Sequence, residues 1–359
     1  MSAATSSMPF SLQAGKLPKG TPWMLLVGSW VVFAAVFLIL QAAGMMNDFS
    51  LVGAIFWGTV LFDVAIYVVS RLVEGGRKAV DRLVTSLVAT AFIIALLPLI
   101  SLLYTVVSNG VARFDPLFFS SSMRNVIDAG GGALHAIIGT LEITAMAALI
   151  SVPIGLLTSI YLVEYGRGHL ARAITFFVDV MTGIPSIVAG LFAFAFFELV
   201  LQDPGIRFGI GGSVALSLLM IPVVVRSSEE MLKLVPNELR EASYALGVPK
   251  WLTILKIVIP TSIAGITTGV TLAISRVIGE TAPLLIVAGF TQSMNYNPFD
   301  DRMMTLPVFV FRQYADQGSD AAAYIDRAWT GALVLILIVM LLNLLARLVA
   351  RIFAPKLGR

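Results

Sequence analysis

Arg276 and Glu280 stand four residues apart in a stretch that is otherwise apolar and hydroxylic, from Thr261 to Phe290. On a helix, positions i and i+4 face the same side, here about fifteen residues into a segment long enough to cross a bilayer. A charge at that depth is costly, so such residues turn toward a bundle interior or a water-filled path. Arginine suits one class of substrate in particular. Its planar donors match two oxygens of an oxyanion at once and it stays charged at physiological pH, whereas lysine lacks the fork. Two roles are open to the pair: Arg276 stabilises an anion in a translocation path while Glu280 holds the guanidinium, or the two lock helices together. Thr268, Thr271 and Ser275 could add neutral donors, although helical hydroxyls more often bond their own backbone.

Arg226, with Glu229 and Glu230 close behind, reads as an anion contact at an inner gate or as a basic anchor at a membrane surface, the anchor being favoured. Glu142, Asp179, Asp63 and Glu198 also lie in apolar surroundings. Being acidic they suit an anion poorly, and each is expected to pair with a neighbouring donor or helix end. Other chemistry is missing. There is no cysteine, hence no thiolate and no disulfide framework, and His135 and His169 are isolated and read as loop histidines without ligand spacing. No G-x-x-x-x-G-K-[ST] loop occurs, so the chain shows no means of binding or splitting ATP. No metal, no other cofactor and no catalytic residue is expected.

The elements that must position these charges are membrane helices. Of the 359 residues 58% are hydrophobic and only 13% charged, more apolar surface than a soluble domain can bury. Eight spans are expected, at about 23–43, 51–70, 83–107, 136–162, 173–201, 212–225, 261–290 and 329–348. The sixth is short, and either extends through Ser227 and Ser228 or is shielded by its neighbours. No cleavage site ends the first apolar run, which reads as a retained helix. Gly183, Pro185 and Ser186 interrupt the fifth span, because proline removes a backbone bond and glycine loosens the turn; such breaks mark a hinge or a pathway, or are packing kinks.

Basic residues set orientation, since loops rich in Lys and Arg stay on the cytoplasmic side. One alternating assignment puts seventeen inside, including Lys16, Arg71, Arg82, Arg240, Lys250, Lys356 and Arg359, against six outside: Arg113, Arg124, Arg207, Arg302, Arg312 and Arg327. Both termini then face the cytoplasm. The outside connection from 291 to 328 carries Asp300, Asp301, Asp316, Asp320 and Asp326, a surface for a soluble partner or simply a solvated loop.

Between spans six and seven, residues 236–247 read as a short helix. Pro236 suits its first turn, Glu238 its positive end, and Gly247 a left-handed stop before Pro249. Leu239, Ala242 and Leu246 form an apolar stripe beside Glu238, Arg240 and Glu241. Such a helix packs onto another protein's groove, onto its own bundle or at lipid headgroups.

Glu241-Ala242-Ser243, Gly247, Ile257 and Ile259-Pro260 have the spacing of the EAA loop and resemble that loop of ABC importer permeases, with Ser243 in place of the second alanine and Ile259 in place of leucine. The resemblance implies that Glu241, Ala242, Ser243 and Gly247 belong to a coupling helix seated in a cleft of an ATPase subunit. Three flanking stretches, Gly183 to Phe192, Ile221 to Glu230 and Arg276 to Leu285, narrow it to the phosphate-transport branch and the PstA-type permease.

An all-α polytopic bundle of about eight transmembrane helices is therefore expected, in two parts. Residues 1–82 form an N-terminal tail and an extra two-helix hairpin, and 83–359 form a six-helix type I importer permease core. The resemblance implies a subunit of an ATP-driven phosphate importer in the cytoplasmic membrane, not itself an enzyme. Its implied partners are an ATPase pair, a second homologous permease and an extracytoplasmic phosphate-binding protein, with membrane lipid around it and no nucleic acid. A permease for sulfate or molybdate, an ion-coupled secondary transporter and a membrane scaffold or sensor are the competing readings.

Overall fold

A computed structural model describes residues 15–46 and 48–353; Lys356 and Arg359 lie outside the described residues. Every regular element in them is helical. Seven helices are long and apolar enough to cross a membrane, and a bent pair of shorter ones brings the number to eight.

The chain divides into two compact units, 1–103 and 104–359. The first holds α1 (Thr21–Ala42), α2 (Leu51–Val73) and most of α3 (Gly76–Gly110). Small residues let α1 and α2 close on each other: a Cβ on Gly58 would lie 2.6 Å from Cδ1 of Trp30, whose Nε1 donates to Thr59 Oγ1 at 3.1 Å. Ser50 caps α2 by accepting from Gly53 N. Asp63 accepts a hydrogen bond from Ser86.

Glu74 ties this unit at the α2–α3 turn. Its carboxylate accepts from Arg82 Nε (2.6 Å), Leu17 N (2.9 Å) and Ser70 Oγ (2.9 Å). The Arg82 hydrogen bond above all, then the Leu17 amide, hold its pKa down to about 2 against 4.5 for an ordinary glutamate. A depressed carboxylate stabilises the fold fully above its unfolded pKa, and the contribution disappears as pH falls through the folded one. The melting-temperature difference between the wild type and Glu74→Gln is therefore expected to be largest near neutral pH and to shrink between about 4.5 and about 2.

The second unit continues with α4 (Pro116–Ser120), α5 (Leu134–Ile160), α6 (Gly168–Thr182), α7 (Ser186–Leu201) and α8 (Gly209–Lys233). Then follow α9 (Asn237–Ala245), α10 (Lys250–Thr253), α11 (Ile259–Val277), α12 (Ala282–Val287), α13 (Leu306–Ala315) and α14 (Ala321–Phe353). At its centre α5 lies against α8, with Ile143, Ala147, Leu216, Met220 and Val224 fully buried. Glycine sets that closeness, since a Cβ on Gly155 would fall 2.6 Å from Val224 Cγ1.

Two sequence expectations change here, the extent of the seventh span and the character of the 291–328 connection, while the interruption of the fifth span and the lengthening of the sixth agree with the sequence. The fifth span is no single helix: α6 and α7 meet at 110° across Gly183-Ile184-Pro185, where Pro185 precedes the first residue of α7. The seventh ends early, at Val277. Pro283 has no N–H to offer the carbonyl a turn behind it, so the chain leaves the helix at Ile278 and restarts as α12 with proline in its first turn. The sixth runs past Ser227 and Ser228 to Lys233. The 291–328 connection is not merely loop, because α13 inserts Leu306, Val308 and Phe309 into the core.

Candidate functional site

The three flanking stretches singled out in the sequence come together in the second unit. Gly190 of α7 meets the start of α12, where a Cβ would sit 2.6 Å from Pro283 Cα and 3.3 Å from Pro283 O. Gly269 of α11 meets α8, where a Cβ would lie 2.5 Å from Ser227 Cβ. Leu284 of α12 packs against Gly212 of α8. Close backbone approach is thus what these small residues supply. Gly183 has another character: its φ of −90° is open to any residue, and the nearest atom to a Cβ there is 3.5 Å away.

Arg276 stands in the last turn of α11, exposed, and Glu280 follows on the non-helical link. This corrects the expectation of a pair on one face midway along a continuous span. Among the described residues no ion pair joins Arg276 to Glu280 or to any other carboxylate. A cation in the last turn faces the negative end of its helix, which helps hold it there. Thr268 and Thr271 spend their hydroxyls on the carbonyls of Ala264 (2.8 Å) and Thr267 (2.7 Å), while Ser275 accepts from Asn343 at 3.0 Å.

Arg226 is engaged on both sides. It pairs with Asp179 of α6 and, at 2.8 Å, with Glu229, which also holds Lys233 at 2.7 Å. An anion reaching Arg226 must displace a carboxylate, so this guanidinium braces α6 against α8. Glu198 accepts weakly from Gly205 N at 3.3 Å. Glu142 departs from expectation, since its buried Oε2 has no partner.

The segment that resembles an EAA loop is a helix of nine residues, α9, with two unlike faces. Leu239, Ala242 and Leu246 are exposed, Leu246 at 83%, together with Glu238 and Glu241. Ser243 is buried and its hydroxyl meets that of Thr253 at 2.8 Å, so the serine standing where the loop's pattern has alanine ties α9 to α10. The apolar stripe therefore faces away from its own bundle. Gly247 closes the helix at φ +76° with its N–H on Tyr244 O (2.9 Å), the left-handed stop expected of it, and nothing lies within 4 Å of its side-chain position.

Several groups escaped the sequence reading. Arg327, placed in an outside loop, belongs to α14 and is fully buried, donating to Gln313 Oε1 (2.8 Å) and to the carbonyls of Asp128 (2.5 Å) and Gly130 (3.1 Å). Arg113 donates to Gly131 O at 3.0 Å, so two arginines wrap one loop. Asp115 caps α4, and the Phe118 amide, then Arg113, hold its carboxyl below the usual range. His135 is not a loop residue: it lies in the first turn of α5, buried edge-on to Phe309 at 5.8 Å. For Arg327, Arg113 and His135 the deciding partners lie far away in sequence, whereas Asp115 ahead of Pro116 is a local cap signal that went unread.

A bundle of membrane-length apolar helices that turns one short amphipathic helix outward has the make-up of a membrane transport subunit. The family described as "Binding-protein-dependent transport system inner membrane component" matches residues 151–359, and the chain belongs to it, as a multi-pass membrane protein. Phosphate transport system permease protein PstA 1 of Mycobacterium tuberculosis is 44% identical over 79% of this chain and 92% of its own length. PstA of Mycobacterium leprae is 45% identical over 77% and 90%, and that of Yersinia pestis 38% over 80% and 94%. Among solved structures, a bacterial ABC transporter described as involved in import of the acidic polysaccharide alginate superposes with a TM-score of 0.51 over 74% of this chain and 94% of that one. At 14% identity it shows the shared fold alone.

Proposed function

We propose that this chain is a permease subunit of an ATP-driven phosphate importer, working with a second homologous permease, a pair of ATPase subunits and an extracytoplasmic phosphate-binding protein. The seventeen-to-six distribution of basic residues over the connections supports an orientation with both termini in the cytoplasm. The observation that carries this reading is α9. Its apolar stripe is free while its other face is fixed to the bundle, the arrangement needed to receive a push from a separate protein. The chain lacks a P-loop, so hydrolysis belongs to that other protein. The PstA relatives supply the substrate class.

ATP-driven closure of the ATPases moves α9, and the helices packed on α8 switch access from one side to the other. Such transmission requires that docking at α9 differ in free energy between the two states. Arg276 is the candidate anion contact because its guanidinium has no carboxylate to displace. Glu280, on the adjoining link, limits how tightly the anion is held. Gly183, Pro185 and Ser186 mark the 110° bend that lets α6 and α7 turn as separate arms.

Substrate identity is tested by phosphate uptake in cells lacking their own high-affinity system and expressing this chain with its three kinds of partner. Uptake that excess sulfate or molybdate does not reduce is expected. Competition by sulfate would reassign the chain to another oxyanion, and uptake without the ATPase would make it a secondary transporter.

A further inference from the structure

Resting on the reading of α9 as the ATPase-coupling helix, we infer that Glu164 and Arg240 are a positioning pair that carries the movement of α9 to α5. The chain runs directly from α8 through α9 to α10 and α11, so those helices receive any displacement covalently. Residue 164 lies 76 positions before Arg240, and the end of α5 is reached only through space. Arg240 bridges the gap. Its Nε and Nη2 both donate to Glu164 Oε1, at 3.0 and 2.8 Å, and the two side chains are only 12% and 5% exposed. The same guanidinium takes the carbonyls of Leu232 (3.0 Å) and Val235 (2.6 Å), where α8 gives way to α9.

One planar group therefore grips three elements at once, which fixes direction as well as distance. Lys250 adds a second hold, donating to Glu164 O and lying 4.7 Å from the centre of the Tyr165 ring. The grip falls on Tyr161–Tyr165, where α5 widens into a π-helical turn, and α11 begins with another at Ile254–Val258. Such turns recur at functional sites because they shift a helix's register locally. Both helices leading from α9 into the core thus pass through one.

The chain contains no cysteine, so Glu164→Cys combined with Arg240→Cys introduces a unique thiol pair. In proteoliposomes holding the full transporter, with binding protein supplied, the unlinked double variant is expected to hydrolyse ATP near the wild-type rate while phosphate moved per ATP falls about tenfold or more. A short bis-methanethiosulfonate, which forms one disulfide with each thiol and releases a sulfinate at each end, should restore most of that ratio. Glu164→Gln, which keeps the shape and removes the charge, is expected to lower the ratio about fivefold. A wild-type ratio in the unlinked and Gln variants would overturn the inference. So would a parallel loss of hydrolysis and uptake that linking does not repair, since that marks a purely structural pair. A wild-type transporter without ATP-driven uptake would overturn the functional reading and this inference with it.

Discussion

Gly190→Val is expected to reduce phosphate uptake at least about tenfold while the protein still reaches the membrane, the cost of overpacking being roughly 1–3 kcal/mol. Even the first carbon of a new side chain would lie 2.6 Å from Pro283 Cα, and the atom in the way is backbone, which no rotamer change can move aside. Relief comes only if α7 and α12 separate. That separation pulls on the link from Ile278 to Thr281 and so on Arg276 and Glu280. Gly183→Ala is the matched control. Its φ is −90° and the nearest obstacle is 3.5 Å away, so uptake within about twofold of wild type is expected. Uptake assays with membrane-fraction blots separate the two, and wild-type uptake in Gly190→Val as well as in Gly183→Ala would show that the contact of α7 with α12 is irrelevant to transport.

Arg276→Lys is expected to cut phosphate uptake about tenfold or more without lowering thermal stability, because lysine keeps the charge and loses the two-oxygen fork. The stability half of that expectation follows from the structure. Arg276 is exposed and bound to no carboxylate among the described residues, so changing it leaves no orphaned acid behind. Arg226→Met should do the opposite first, lowering the melting temperature, since Asp179 and Glu229 lose their shared cation. Unchanged uptake in Arg276→Lys would remove the bidentate role.

The sequence was most legible where the signal is local. Apolar runs of membrane length mark the helices, and α9 is readable from Glu238, its 3.6-residue stripe and a glycine whose left-handed φ is then observed at Gly247. What hydropathy could not register was the break at 278–281 and the bend at 183–185, because a window of apolar residues looks the same whether the helix continues or turns. Gly183 and Pro185 did give away the interruption of the fifth span in the sequence, whereas Pro283, the corresponding clue in the seventh, went unread. Pairings across long separations were not legible: Glu164 with Arg240, Asp179 with Arg226, Arg327 with the loop at 128–130. Charge type can be read from sequence, whereas the partner is decided by tertiary packing, and for Arg276 and Glu280 the nearest partner in sequence is not a partner in space.

The most direct test of the account is ATP-driven phosphate accumulation in proteoliposomes containing this chain, its partner permease and the binding protein, measured with and without the ATPase pair, and repeated with Gly247→Asp. Accumulation that needs both ATP and the ATPase, and that fails in the variant although the complex still assembles, is the predicted result. Accumulation that proceeds without the ATPase, or that survives unchanged in Gly247→Asp, would contradict it.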